Sequence, residues 1–292
     1  MNSDTHPSDL TVVIPAFRAE QTIRRAVKSA FAAGAATVIV VDDGSDDATG
    51  EHATDVGATC IRQENAGAAK ARATGAEHAT GTYLIFLDAD DELIPSAVRN
   101  SVRILEENPS LAVSAGTVIG VAEGGVERPF PVRYSPVTTN SLLTNGFGPW
   151  PPCAAVVRRA AYAASKSIEP AALAPRYAED YELLIRLSMV GDIAVRDEPS
   201  CRYSLAGGKS VRSASSAIEA KEDIRRHYAD HFGLDIEYMS DRRVRMAASA
   251  RRARAEWASG NLLSAALRLG EWVLADPVHA GRKLLTKPWN RN

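Results

Sequence analysis

The chain has 292 residues, of which 45% are hydrophobic and 24% are charged, a composition typical of globular proteins with one or two domains. Its 34 basic and 36 acidic side chains give a formal net charge of −2, which provides no electrostatic basis for nucleic acid as the main partner. Three cysteines, no signal peptide and no apolar run of the ~18 residues that a membrane helix needs predict a cytoplasmic protein without a disulfide scaffold.

Strands and helices alternate over about the first 110 residues. Short runs rich in Val and Ile are typical of buried strands, and apolar residues at helical spacing indicate amphipathic helices. In chain order these patterns predict a strand at 10–15, a helix at 20–33, strands at 37–41 and 58–63, a helix at 68–79, a strand at 83–87 and a helix at 95–107. The alternation predicts an α/β fold with a doubly wound, mostly parallel sheet, in which ligands bind at the carboxyl ends of the strands.

The rest of the chain is irregular at first and then helical. Segments 111–121 and 153–157 are strand-like, whereas the Gly- and Pro-rich stretch 124–152 is typical of loops and edge strands. Residues 179–189 form a helical pattern with an acidic first turn, and helical patterns fill the chain from 213 onward. These boundaries predict a polar leader at 1–9, an α/β domain at 10–212 and a helical C-terminal extension at 213–292.

Acidic motifs follow two of the predicted strands. Asp88 and Asp90 stand two residues apart after the fourth strand, an arrangement of hard oxygen ligands that suits Mg²⁺ or Mn²⁺ bound to substrate phosphates. A solvated acidic turn would show the same pattern. Asp42 and Asp43 follow the second strand, where they either cap a turn or accept hydrogen bonds from a ligand. Because the carboxyl ends of parallel strands share one edge, we expect the two motifs to meet there.

Two further clusters combine polar residues with a predicted helix start. Glu179 and Asp180 open one helix, where they either stabilise its N-terminus or supply a general base that deprotonates an acceptor hydroxyl. Gly67, Lys70 and Arg72 lie at the start of another helix, where they either bind a phosphate group or form a loop and a solvated face. Neither cluster identifies a function by itself.

Five sequence blocks occur in the order and at the spacing of the family 2 glycosyltransferases. They are VIPAF from Val13, VVDDGSDD from Val40, QENAGAAKARATG from Gln63, GTYLIFLDADD from Gly81 and AEDYELLIRL from Ala178. The chain resembles that family over about residues 10–205. The resemblance implies a GT-A fold and an inverting transfer of a sugar from a nucleotide diphosphate, UDP above all, to an acceptor.

The resemblance also implies a role for each matching position. Asp43 would bind the nucleotide base and ribose, Asp88 would lie near the ribose, and Asp90 with Asp88 would hold Mn²⁺ or Mg²⁺ on the diphosphate. Asp180 would be the catalytic base, with Glu179 orienting it or touching the acceptor. The other donor-binding positions implied by the family pattern are Pro15, Ala16, Gly67, Lys70, Arg72 and Ala89.

One segment departs from the family pattern. Many relatives carry a histidine after the base helix that helps to bind the metal or the diphosphate, whereas residues 201–205 are CRYSL and contain none. Ser204, the loop at 207–210 or water would have to take its place, with Lys209 as a direct phosphate ligand. Two alternatives stay open: a polyprenyl-phosphate glycosyl synthase, and a degenerate module that binds a nucleotide sugar or a glycan without catalysis.

Candidate acceptor contacts lie in the irregular stretch 124–152. Asn145 and Trp150 are the residues that we expect to contact a glycan or a lipid-linked saccharide, because sugars often stack on aromatic rings. Trp150 is followed by two prolines, a context that is also typical of a packed side chain.

The C-terminal helices are basic and contain tryptophan. Residues 241–292 hold 11 Lys/Arg against 4 Asp/Glu and include Trp257, Trp272 and Trp289. This pattern predicts either an interfacial anchor or a helical cap with ordinary core tryptophans. The anchor interpretation predicts peripheral contact with the cytoplasmic face of the inner membrane.

Overall fold

The computed structural model of the chain describes residues 8–122, 124–205, 213–258 and 261–277. Contacts divide the chain into two compact units. The first consists of Met1–Gly120, Glu127–Ala172 and Glu179–Ser204, and the second of Val121–Val126, Leu173–Ala178 and Leu205–Asn292. The second unit therefore includes two short segments from the middle of the chain besides the region that the sequence predicts as a helical extension.

Nine strands lie within the described residues, and they form one sheet. In chain order they are β1 (Ser8–Ala16), β2 (Ala35–Asp42), β3 (Thr59–Arg62), β4 (Tyr83–Phe86), β5 (Glu92–Leu93), β6 (Leu111–Val121), β7 (Glu127–Phe130), β8 (Ala155–Arg158) and β9 (Asp192–Ser204). Their order across the sheet is β3-β2-β1-β4-β8-β6-β9-β5, with β7 beside β6. The β3-β2-β1-β4 half is parallel, whereas β8 pairs antiparallel with β4 and β6, and β5 pairs antiparallel with β9.

Helices cover both faces of this sheet. The helices of the first unit are α1 (Ile23–Ala32), α2 (Thr49–Asp55), α3 (Ala68–Glu77), α4 (Pro95–Glu107), α5 (Thr139–Asn145), α6 (Arg159–Ser165) and α7 (Glu179–Val190), with a 3₁₀ turn at Pro152–Ala154. Successive residues of β1 point to opposite faces, so Val12 packs in a cluster with Ile23 of α1 and Val13 in a cluster with Ala71 of α3. All four side chains are fully buried. The near-continuous apolar sequence of β1 reflects this burial on both faces.

Gly75 allows α3 to lie close against β1. A Cβ atom at this position would stand 2.3 Å from Cγ1 of Val13 and 3.2 Å from Cγ2 of Val41, well inside van der Waals contact. The close packing fixes the position of α3, whose first turns carry Lys70 and Arg72.

Several short or polar elements were absent from the sequence-based prediction. The stretch 124–152, predicted as loops and edge strands, contains helix α5 as well as β7. Thr138 is the N-cap of α5 and forms a reciprocal capping box with Ser141. Its Oγ1 accepts a hydrogen bond from the Ser141 N–H, and its own N–H donates to Ser141 Oγ. Ser replaces the more usual Glu or Gln at the third position of this motif, which hides the signal. Helices α2 and α6 span seven residues each, too few for a clear helical period.

The described part of the second unit contains three longer helices, α8 (Ala214–Phe232), α9 (Asp241–Ala258) and α10 (Leu262–Ala275). A buried ion pair ties α8 to the segment before α9. Arg225 Nη1 lies 2.7 Å from Glu222 Oε1, and Glu222 Oε2 accepts from the Met239 N–H at 2.8 Å. Among the described residues, no helix combines the length and the apolar character that crossing a bilayer requires.

The two described tryptophans of the second unit have opposite environments. Trp272 is 6% exposed and packs in a small core with Met246 and Ala250, as the core interpretation predicts. Trp257 is 56% exposed. Trp289 lies outside the described residues. Trp272 is therefore unavailable to a membrane, and any anchor must use other side chains of these helices.

Candidate functional site

The carboxyl ends of three parallel strands bring the predicted motifs to one edge of the sheet. Pro15 and Ala16, both buried, end β1 and pair in register with Val41 and Asp42 of β2. On the other side of β1, β4 runs parallel to it. Asp42-Asp43 and Asp88-Ala89-Asp90 therefore follow strands that leave the sheet in the same direction, on either side of Pro15-Ala16.

Asp43 is buried and holds the loop between β3 and α3. Its Oδ1 accepts hydrogen bonds from Gln63 Nε2 at 2.8 Å and from the Ala66 N–H at 2.9 Å, and its Oδ2 accepts from the Gly67 N–H at 2.8 Å. Its carbonyl oxygen accepts from Asn65 Nδ2 at 2.9 Å. A carboxylate offers about four acceptor positions, so the three bonds leave room for roughly one more, to a ligand. Gln63 was not singled out in the sequence.

We expect Asp43→Asn to loosen this loop. The amide would turn an NH₂ group toward backbone N–H donors, and each buried donor left without a partner costs about 1–3 kcal/mol. Urea unfolding should show a lower midpoint, and donor binding should weaken in parallel. The matched control is Asp46→Asn, because Asp46 is exposed and forms an ion pair with Arg18 at the surface. Equal midpoints for the two variants would contradict the structural role of Asp43.

Arg72 joins the acidic motif after β4 to the first turn of α7. Its Nη1 lies 2.8 Å from Glu179 Oε1 and its Nη2 lies 2.6 Å from Asp88 Oδ1. Its Nε is buried and has no hydrogen-bond partner within the part of the chain that the structure describes. The three residues come from α3, from the end of β4 and from α7, and 107 positions separate Arg72 from Glu179. Arg72, predicted as a phosphate ligand, therefore has both terminal nitrogens bound to carboxylates in this structure.

The bridge is mostly shielded from water, and the pKa values reflect this. Burial opposes the positive charge of Arg72, but Asp88 and Glu179 together raise its pKa above the ordinary value. Burial raises the pKa of Glu179, although the adjacent Arg72 works in the opposite direction. The charged state of Glu179 thus depends on Arg72.

The remaining predicted residues of α3 and α7 lie at the surface. Asp180 is exposed in the first turn of α7, where an acidic residue also suits the helix dipole. Lys70 is exposed on α3, and Gly67 stands at the N-cap of that helix with φ of 90° and free space where a side chain would be. Both side chains, Asp180 and Lys70, are thus exposed to solvent.

Asp88 and Asp90 fit a divalent cation. Both are hard oxygen donors of the kind that Mg²⁺ and Mn²⁺ prefer. Arg72 takes one oxygen of Asp88 and leaves the other, and the Asp90 side chain reaches solvent. The desolvation of its carboxyl group and the charge of Asp88 raise the pKa of Asp90. Ala89 between them is half-buried and packs on the core.

Asp91, directly after this pair, is buried and anchors the end of β9. Its Oδ1 accepts from the Ser204 N–H at 2.8 Å, and no nitrogen or oxygen donor among the described residues reaches its buried Oδ2. Burial, with the charge of Asp88, raises the pKa of Asp91 to about 8. Ser204, predicted as a substitute for the missing histidine, therefore lies beside the acidic motif. The loop at 207–210, with Lys209, lies outside the described residues. The sequence signal for Asp91 was its place as the third aspartate of Asp88-Ala89-Asp90-Asp91.

Two cysteine thiols lie next to Asp91. The ligand atoms of Asp91, Cys153 and Cys201 all lie within 4.8 Å of one another, and all three residues are buried. Burial raises the pKa of both thiols. Both thiols are therefore protonated at neutral pH.

The candidate acceptor residues occupy different environments. Trp150 is half-buried and packs against both hydrophobic clusters of the first unit. Asn145, at the end of α5, is exposed, and its Nδ2 donates to the Ser141 carbonyl at 2.7 Å within the same helix. Trp150 therefore contributes to packing, and only part of its ring is available to a sugar.

The sequence and the fold can be compared with known proteins at this point. The family described as Glycosyl transferase family 2 matches residues 11–163, more than half of the chain. An uncharacterized glycosyltransferase of Haemophilus influenzae is 25% identical over 247 residues, which cover 79% of this chain and 82% of that protein.

Solved structures resemble the chain in fold. S. aureus TarS 1-349 in complex with UDP-GlcNAc superimposes with a TM-score of 0.56 at 16% identity, and the match covers 97% of this chain and 93% of that one. The mannosyltransferase PcManGT from Pyrobaculum calidifontis in complex with GDP-Man and Mn²⁺ superimposes with a TM-score of 0.54 at 18% identity, with coverage of 98% and 82%. The predicted α/β fold of the GT-A type is thus confirmed, and the chain belongs to glycosyl transferase family 2 and is a glycosyltransferase.

Proposed function

We propose that the chain transfers a sugar from a nucleotide diphosphate, most readily UDP, to a hydroxyl group of a glycan or a lipid-linked saccharide, with inversion at the anomeric carbon. The observation that carries this proposal is the bridge of Arg72 to Asp88 and Glu179. It links the acidic motif after β4 to the acidic first turn of α7. A group-transfer enzyme needs both motifs close together, because the donor diphosphate and the acceptor hydroxyl must meet at one site.

The donor occupies the sheet edge in this proposal. Pro15, Ala16 and the remaining acceptor position of Asp43 face the base and ribose, and Asp88 lies near the ribose. Gly67 leaves space for close approach, and the exposed Lys70 neutralises phosphate charge. Asp88 and Asp90 hold a divalent cation, Mn²⁺ or Mg²⁺, which neutralises the charge that develops on the departing diphosphate.

Asp180 is the general base in this proposal. Its carboxylate takes the proton of the acceptor hydroxyl as the acceptor oxygen forms a bond to the anomeric carbon. The bond from that carbon to the diphosphate oxygen breaks on the opposite face, and its electron pair leaves with the nucleoside diphosphate. Glu179, held by Arg72 at 2.8 Å, orients Asp180 or the acceptor. A single displacement gives inverted configuration.

We also propose that residues 10–212 form the catalytic GT-A domain and that residues 213–292 form a helical C-terminal extension. A lipid-linked acceptor would bring the protein to the cytoplasmic face of the inner membrane, where the basic C-terminal helices make peripheral contact. Asn145 and the open part of Trp150 are the proposed acceptor contacts.

Product analysis tests the proposed reaction. With a UDP-sugar and Mn²⁺, the protein should glycosylate a saccharide hydroxyl, and NMR should show an anomeric configuration opposite to that of the donor. Transfer to bare polyprenyl phosphate instead would identify a polyprenyl-phosphate glycosyl synthase. Retained configuration would contradict the single displacement. Binding of the donor without any transfer to a panel of both acceptor classes would identify a degenerate module.

Asp90→Ala should weaken metal-dependent donor binding. Loss of one of two carboxylate ligands raises the metal concentration needed for half-maximal donor binding, by about tenfold or more for a site that rests on so few protein ligands. Titration of Mn²⁺ against the UDP-induced shift in melting temperature measures this. Asp197→Ala, which removes an exposed carboxylate on β9, is the control. An unchanged titration in Asp90→Ala would remove Asp90 from the metal site.

A further inference from the structure

We propose that the outer face of α10 docks on a membrane surface that contains anionic lipids, an inference that specifies the peripheral contact proposed above. Three leucines on this face, Leu263, Leu267 and Leu274, are 77%, 65% and 80% exposed. Large apolar side chains are seldom exposed in such a row on a protein that contacts only water. Leu262 and Val273 extend the same apolar surface, at 57% and 38% exposure.

The opposite face of α10 is already used. Ala265 and Trp272 are buried, and the Ser249 hydroxyl of α9 lies 3.0 Å from the Arg268 carbonyl oxygen and 2.9 Å from Glu271 Oε2. Arg268 and Glu271 also pair with each other at 2.7 Å. The charges of Arg268 and Glu271 thus neutralise each other on the side of α10 next to α9. The exposed leucines of α10 face away from the small core of the unit.

The apolar face is too small for a stable homodimer of its own. A standard interface buries about 800 Å² on each partner, from roughly 20–30 residues. The outer face of α10 offers five large apolar side chains on a helix of 14 residues. A helix that lies in a membrane surface does not need so large a contact area, because its apolar face enters the boundary between headgroups and acyl chains by only ~5–10 Å.

The sequence after α10 supplies charge of the sign that anionic lipids attract. Residues 278–292 contain Arg282, Lys283, Lys287 and Arg291 and no Asp or Glu. Basic clusters beside an apolar helix face bind anionic lipid headgroups, and stable peripheral attachment generally needs two such signals together. Leucines that enter the membrane surface and a cationic segment directly after them meet that requirement. The buried Trp272 contributes nothing to it.

Vesicle flotation of the full chain tests this inference. Wild-type protein should float with vesicles of phosphatidylcholine and phosphatidylglycerol, and it should float less with phosphatidylcholine alone or at high salt. Leu263→Gln/Leu267→Gln should reduce partitioning by about tenfold or more, because two buried leucines are lost from the lipid contact. Glutamine is a good helix former, so α10 should persist. Lys283→Glu/Lys287→Glu should reduce binding to the anionic vesicles but not the weaker binding to phosphatidylcholine vesicles.

The control changes two exposed apolar residues elsewhere in the second unit. Val126→Gln/Leu173→Gln, at 54% and 43% exposure, should float like the wild type. Equal flotation of the wild type and the α10 leucine variant would overturn the inference. So would a wild-type dimer in analytical ultracentrifugation that the leucine variant converts to a monomer without a change in flotation, because a second copy would then cover the face. The UDP-induced shift in melting temperature, measured on each preparation, tests the donor site separately.

Discussion

Asp180→Asn should lower turnover by ~10² or more and leave donor affinity unchanged. Asn keeps the size and shape of Asp but replaces one acceptor oxygen with an NH₂ group and cannot take a proton. Loss of a positioned base costs this factor, about 2.7 kcal/mol in activation free energy. Because Asp180 is exposed at the start of α7, its replacement should leave the unfolding midpoint almost unchanged. Steady-state kinetics with saturating UDP-sugar, together with UDP binding by calorimetry, measure the two effects separately.

The control for this prediction lies just beyond the other end of the same helix. Asp192→Asn removes an exposed carboxylate at the start of β9 and should retain the wild-type rate. A full rate in Asp180→Asn would exclude Asp180 as the base. Loss of UDP affinity together with rate would give it a binding role instead.

Arg72→Met should reduce both stability and turnover. Methionine keeps much of the length and apolar contact of Arg72 but removes the cation that lies 2.6 Å from Asp88 and 2.8 Å from Glu179. Removing one partner of a fully buried ion pair costs about 3–5 kcal/mol. The carboxylates here are 40% and 28% exposed, so solvent screening should reduce the loss to about 2 kcal/mol. Turnover should fall by about tenfold or more, because both acidic motifs lose their shared anchor.

A double-mutant cycle isolates the bridge. Glu179→Gln should cost clearly less in the Arg72→Met background than in the wild type, with a coupling energy of about 1 kcal/mol or more in urea unfolding. Arg103→Met, which breaks a surface ion pair with Glu107 on α4, should cost less than about 0.5 kcal/mol. Additive effects of the Arg72 and Glu179 substitutions would contradict the bridge.

The parallel half of the sheet was predictable because its strands are buried on both faces. The centres of β1 (Val12–Ile14) and β2 (Val38–Val41) are unbroken runs of Val and Ile, β4 is Tyr-Leu-Ile-Phe, and Pro95 marks the start of α4. Parallel strands end at one edge, so their order alone brought Asp42-Asp43 and Asp88-Asp90 together. The polar, half-exposed β9 and the seven-residue helices lack a comparable repeat of apolar residues. Their formation depends on contacts with residues that are distant in the sequence.

The partners of individual site residues were not predictable from local sequence. The use of Asp43 as the anchor of the 63–67 loop depends on backbone N–H groups, which every residue carries and no motif reveals. The bond of Arg72 to Glu179 spans 107 positions. An arginine next to acidic motifs gives no sign in the sequence that carboxylates already occupy its terminal nitrogens.

The most direct test of the proposed donor site is a melting-temperature panel of UDP-, GDP- and dTDP-sugars, each with Mn²⁺, Mg²⁺ or a chelator. A ligand that binds only the folded protein raises the melting temperature by mass action. At a free concentration a hundredfold above its dissociation constant, it adds about 2.7 kcal/mol to the free energy of unfolding. We predict a shift for UDP-sugars that needs the metal and is lost in Asp90→Ala. A panel without any shift, or a shift that persists unchanged in chelator and in Asp90→Ala, would contradict a metal-dependent nucleotide-sugar site at this edge of the sheet.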